Sequence, residues 1–135
     1  MDVLPLPRGR RRRVMMVAAA LAVPLDAAEA QTDANAAFAW LDRFYAGGPF
    51  CSTAVVKRVE RAPPSVIVHL DIDPRWAADL ARMEAGLRDG WFALHCPYVL
   101  EPVWSLLPPE GDVIIHGAGP DLGVVRHSCR RSLGR

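Results

Sequence analysis

The chain of 135 residues lacks most of the short motifs that announce chemistry. It has no Cys-x-x-Cys and no His-x-x-x-His, so the paired spacings of structural zinc sites and of thioredoxin-type redox centres are missing. No Gly-x-Ser-x-Gly elbow offers an esterase nucleophile, and no haem-attachment motif occurs. Internal repeats and low-complexity segments are absent, which removes solenoids and disordered tails from consideration. No apolar run approaches the roughly 20 residues that a spanning helix needs.

What is present begins at the N-terminus. Arg8 and Arg10 to Arg13 precede a 12-residue apolar run, Val14 to Leu25, and Ala28-Glu29-Ala30 supplies small residues at a cleavage position before Gln31. A basic stretch, an apolar stretch and a small-x-small site in that order predict a secretory signal peptide over residues 1–30. The run contains Pro24 and is too short for an uncleaved anchor. No Ser or Thr precedes the arginine pair, so a twin-arginine export signal is the weaker reading. No Cys follows the cleavage position closely enough for a lipid anchor. The expectation is one domain over residues 31–135, periplasmic or secreted, with no transmembrane segment after cleavage.

Charge follows from that division. The leader carries five of the 16 basic and three of the 15 acidic residues, leaving 11 and 12 in the remainder. Without excess positive charge, and with no basic residues interleaved with aromatics, nucleic acid is a poor partner and so is an anionic membrane surface. All three cysteines, Cys51, Cys96 and Cys129, lie after the leader, where an oxidising compartment favours pairing. The odd number implies one disulfide and one thiol. Cys96 with Cys129 is the preferred pair, because each ends an expected strand; Cys51 with Cys129 is the rival. The remaining Cys is a small buried hydrophobe, or a group that bonds a partner chain or a metal.

Local patterns predict an α+β domain with a mostly antiparallel sheet of four or five strands and two helices on one face. Phe38, Leu41 and Tyr45 recur at helical spacing from an Asp33 cap, and Gly47-Gly48-Pro49 ends that helix near residue 46. Thr53 to Glu60 and Ser65 to Ile72 are rich in Val and Ile and flank Arg61-Ala62-Pro63-Pro64, which reads as a hairpin. In the second strand Val66, Val68, Leu70 and Ile72 share a core face, and Ile67, His69, Asp71 and Asp73 the wetter one. Asp73-Pro74 caps a helix whose apolar residues Trp76, Leu80, Met83 and Leu87 form one stripe, with Gly90 as its stop. Residues 91–96 fit a strand or a helical continuation equally. Residues 98–111, with Pro102, Pro108 and Pro109, read as a long ordered connection. Asp112 to His116 and Gly123 to Cys129 are expected strands around a glycine-rich turn, 117–122, and the basic tail from Arg130 is expected to fray.

Four clusters are candidates for chemistry. His95-Cys96 and His127-Ser128-Cys129 twice place imidazole beside sulfur, a donor set that suits copper or zinc if the segments meet with free thiols. His69 and Asp71, alternate residues on one strand face, could act as base and orienter if they faced a shared pocket, although no nucleophile accompanies them. Asp71-Ile72-Asp73 resembles the acidic pair that holds a divalent ion in sugar-nucleotide transferases, but Asp73 has a helix to cap and the chain is too small for that fold. His116-Gly117-Ala118-Gly119 resembles an oxyanion or dinucleotide loop, yet a strand follows it where a helix N-terminus is required. For partner contact, Trp104, Leu106 and Leu107 stand in an apolar, proline-flanked segment that either folds over the core or docks on another protein.

No cofactor follows from these residues. The leading expectation is a small exported, non-catalytic interaction or accessory domain, with another envelope protein as partner. The alternatives are a periplasmic copper or zinc protein using His95, Cys96, His127 and Cys129, and a small hydrolase or transferase using His69 and Asp71.

Overall fold

The computed structural model describes residues 25–48 and 51–133. Five helices and four strands follow one another as α1 (Leu25–Ala46), β1 (Ala54–Ala62), β2 (Ser65–Ile72), α2 (Pro74–Arg82), α3 (Ala85–Ala93), α4 (Val103–Leu106), β3 (Val113–Gly119), β4 (Gly123–Ser128) and α5 (Cys129–Leu133). The four strands form one sheet in the order β1-β2-β3-β4. β1/β2 and β3/β4 are antiparallel, while the central pair β2/β3 is parallel. The sheet is therefore mixed, though mostly antiparallel. The parallel pair requires a long crossover, and residues 73–112 with α2, α3 and α4 provide it.

Strand alternation builds the core. Val66, Val68, Leu70 and Ile72 of β2 and Val113 and Ile115 of β3 are buried, and they join one apolar cluster with Ala37, Leu41 and Tyr45 of α1, Ala77 and Leu80 of α2, and Trp91 and Phe92 of α3. Val66 pairs with Val113 and Val68 with Ile115, so both central strands present their branched side chains to the same layer.

The β1–β2 hairpin forms with β1 running on to Ala62, so the connection is the cis Pro63–Pro64 pair alone. One irregularity in β1 decides what its far face carries. Val56 lies opposite Leu70, but Arg58 lies opposite His69, so Lys57 is an inserted bulge residue. A strand without the bulge would send Ala54, Val56, Arg58 and Glu60 to one side. The bulge reverses the phase after Val56, so that Val59 packs on the core and Arg58 and Glu60 turn to the opposite face.

Several expected boundaries move. The segment read as a signal peptide, 1–30, lies mostly outside the described residues, and its last six residues are the first six of α1. The α1 side chains described in the core, Ala34, Ala37, Leu41 and Tyr45, all lie beyond Gln31. Asp73 caps α2 as expected, its carboxylate accepting from the backbone N–H groups of Arg75 and Trp76 at 2.9 and 3.3 Å. The single helix expected to reach Gly90 is broken in two, because Met83 and Glu84 both adopt extended backbone conformations. The break turns Leu87 to solvent and lets Trp91 and Phe92 enter the core in its place. Gly90 is thus inside α3, and of the ambiguous stretch 91–96 the first three residues are helical and the rest form a turn.

The glycines expected in a turn lie in β3. A Cβ on Gly117 would stand 2.8 Å from Ile72 Cδ1 and 2.9 Å from Phe92 Cε1, and one on Gly119 would stand 2.4 Å from Ala77 Cβ. They are sites of close helix–sheet approach. The tight turn is Pro120-Asp121-Leu122, with positive φ at Asp121 and Gly123. The tail forms α5, pinned where Arg130 N–H donates to Asp112 Oδ1 at 2.9 Å and its Nε to the Gly111 carbonyl at 2.7 Å.

Candidate functional site

The sheet face opposite the core carries three lateral rows set by strand register. In the middle row Arg58, His69, His116 and Arg126 lie side by side across β1, β2, β3 and β4. The row toward one end holds Val55, Asp71, Ala118 and Val124, and the row toward the other Glu60, Ile67, Ile114 and Ser128. Val55 and Val124 are exposed. The middle row is thereby flanked by rows that mix apolar side chains with Asp71 on one side and with Glu60 and Ser128 on the other.

Glu60 ties the middle row together. Its Oε2 is 2.7 Å from His69 Nε2 and 3.8 Å from Arg58 Nη1, and His69 Nδ1 is 3.2 Å from His116 Nδ1. The His69 hydrogen bond holds the Glu60 carboxyl below its usual range, with Arg58 adding to the effect. Partial burial pushes the His116 imidazole below its usual value, and the charges of His69, Arg126 and Arg58 push it further. The row therefore presents two guanidinium groups, a histidine whose protonation is disfavoured and a histidine paired to a carboxylate. Such a line suits an anionic group laid across the strands.

A second cluster lies beside α3. The Cys51 thiol is 3.4 Å from His95 Nε2 and 3.3 Å from Thr53 Oγ1. His95 is buried, its Nδ1 is 3.1 Å from the Trp91 carbonyl, and its own carbonyl accepts from the Tyr45 hydroxyl. Burial lowers the His95 imidazole below its usual value and raises the Tyr45 hydroxyl well above its own.

The residues expected to bind metal do not gather. Cys96 and Cys129 form a disulfide with Cα atoms 5.5 Å apart, so neither offers a thiolate, and Cys51 is left as a thiol. His95 faces Cys51, while His127 bonds Ser132 and stacks on Phe92. Among the described residues no three His, Cys, Asp or Glu side chains converge on a metal position. His69 and Asp71 do share a face, but their side chains meet different neighbours. Asp71 lines a shallow groove of about 230 Å³ with Ser52, Thr53 and Pro74, whereas His69 turns to Glu60 and His116.

The proline-flanked segment folds inward. Leu107 is buried, Leu106 packs against the core, and Trp104 is half-buried, its Nε1 donating to the Tyr98 carbonyl at 2.9 Å under the Arg130 guanidinium. The exposed apolar groups here are Tyr98, Val99 and Leu100, 76%, 61% and 93% accessible. Sequence reasoning missed Arg58, Glu60 and Arg126. The signal available for them was the placement of His69 and His116 at the middle of two alternating strands, which makes any polar neighbour in register part of the same row.

Comparison of the chain with protein-family models, with curated proteins and with solved structures returned no match. No helix among the described residues is long and apolar enough to cross a membrane.

Proposed function

We propose that the protein is a small exported binding domain that works without catalysis, and that it recognises an acidic segment of a partner envelope protein through the sheet face opposite its core. The in-register row Arg58, His69, His116 and Arg126 carries this reading. Two arginines at the ends of a four-strand line fix anionic groups at both edges, and Val55 and Val124 add apolar contact beside them. Residues of α1, α2 and α3 join the apolar cluster on the core face, and in this reading the opposite face is left to a partner. The disulfide supports an oxidising compartment, as the leader-like N-terminus does.

The test is a titration of the isotopically labelled protein with a hexaglutamate peptide and, separately, with a hexaserine peptide. The acidic peptide shifts the His69 and His116 ring signals, salt weakens the response, and the double change Arg58→Ala/Arg126→Ala abolishes it while the fold persists. Equal responses to both peptides, or none at millimolar peptide, reject the reading. Intact mass of the exported form separately tests removal of residues 1–30.

A further inference from the structure

We propose that Cys51 is a reactive thiol that exchanges with small disulfides of the glutathione type, with His95 as the base that takes its proton. The tautomer of His95 follows from its partners. The Trp91 carbonyl can only accept, so Nδ1, 3.1 Å away, carries the hydrogen. In the neutral ring Nε2 is then a bare lone pair, and it lies 3.4 Å from Cys51 Sγ. Nucleophile, base and the group that orients the base are present in order. Burial favours the neutral ring, which keeps Nε2 available.

The surroundings fit this role. An isolated bridge between Cys51 and Ala54 fixes the turn that carries the thiol, and the Thr53 hydroxyl, 3.3 Å from Sγ, can donate to the sulfur as charge develops there. The same turn, through Ser52 and Thr53, borders the groove of about 230 Å³. Cys51 is half-buried, between His95 and Thr53. With Cys96 and Cys129 paired to one another, Cys51 is the one described cysteine that can exchange.

In the reaction the Cys51 thiol proton passes to His95 Nε2 as Sγ attacks one sulfur of the disulfide. A bond forms between Sγ and that sulfur, the original sulfur–sulfur bond breaks, and the departing thiolate takes the proton from Nε2. One protein thiol and one small disulfide become one mixed disulfide and one small thiol.

The test exposes the purified chain, its Cys96–Cys129 bond intact, to oxidised glutathione at pH 7 and follows intact mass and peptide maps. The expected result is a single glutathionyl group on Cys51, added at least tenfold faster than to N-acetylcysteine under the same conditions. His95→Gln is expected to slow the reaction at least tenfold and to make its rate climb more steeply with pH. A wild-type rate no faster than that of N-acetylcysteine overturns the proposal, whether or not the His95 variant folds. So does conversion to a Cys51-linked dimer without a glutathione adduct.

Discussion

His69 and His116 meet across the parallel strand pair with their Nδ1 atoms 3.2 Å apart, and Glu60 settles which nitrogen of His69 carries hydrogen. The carboxylate accepts at 2.7 Å, so His69 Nε2 is the donor to it. When His69 is neutral its Nδ1 is an acceptor, so His116 donates from Nδ1. The carboxylate on β1 thus sets, through one imidazole, the tautomer of the next.

Acidification is expected to weaken the fold. His95 and His116 both have imidazoles lowered in the folded state, mainly by burial, from an ordinary value of 6.5. The unfolded chain therefore binds more protons than the folded one as pH drops through 6.5, and stability declines from there until the folded values are passed. Glu60, lowered by its His69 hydrogen bond, acts in the same direction, since its contribution is present above the ordinary carboxyl value of 4.5 and fades below it. Urea unfolding at pH 7.5 and pH 5.0 is expected to show a lower midpoint in acid, and His95→Gln should flatten that dependence. A midpoint that rises in acid contradicts the burial of these rings.

Gly119→Ala is expected to destabilise the protein by about 1–3 kcal/mol, the cost of overpacking a close contact. The added Cβ would stand 2.4 Å from Ala77 Cβ, which belongs to α2 and has no flexible end to move aside. Gly90→Ala is the control, because nothing lies within 4 Å of its Cβ and alanine is the better helix former. Thermal unfolding of the two variants should move in opposite directions.

What could be read in advance divides by range. The β2 face of Val66, Val68, Leu70 and Ile72 and the cap at Asp73 were legible because each depends on residues within a few positions. The pairing of Cys96 with Cys129 was expected from two strand ends, whereas Cys96 follows α3 and Cys129 begins α5. The parallel partnership of β2 and β3 was not legible, because it is chosen by how the 73–112 crossover packs. The Lys57 bulge leaves no trace in composition, yet it decides that Arg58 and Glu60 reach His69. The break at Met83 falls within an apolar stripe that local spacing carries through to Leu87, and beyond it Trp91 and Phe92 occupy the core. Gly117 and Gly119 carried a real signal that was attributed to a turn, since glycine marks close packing as readily as a bend.

Asp73→Ala removes the acceptor for the N–H groups of Arg75 and Trp76 at the start of α2. The expected loss is about 1 kcal/mol, with Asp73→Asn close to wild type because its amide oxygen accepts in the same place. Denaturant titration distinguishes the pair. Equal losses in both variants would assign the effect to charge, for which the carboxylate's hydrogen bonds would then be incidental.

The disulfide ties α5 to the end of the α3 segment across a separation of 33 residues. Closing a loop of that length restricts the unfolded chain by ~3 to 4 kcal/mol on the chain-entropy account. The double change Cys96→Ala/Cys129→Ala should lower stability by at least that much, since Cys129 is also fully buried and its truncation leaves space in the core. Cys51→Ser touches no covalent bond, so its unfolding midpoint should stay close to that of the parent. If the double variant unfolds at the wild-type midpoint, the crosslink constrains nothing that packing around Phe92 and Cys129 does not already hold, and the compactness of the domain must then be attributed to its apolar cluster alone.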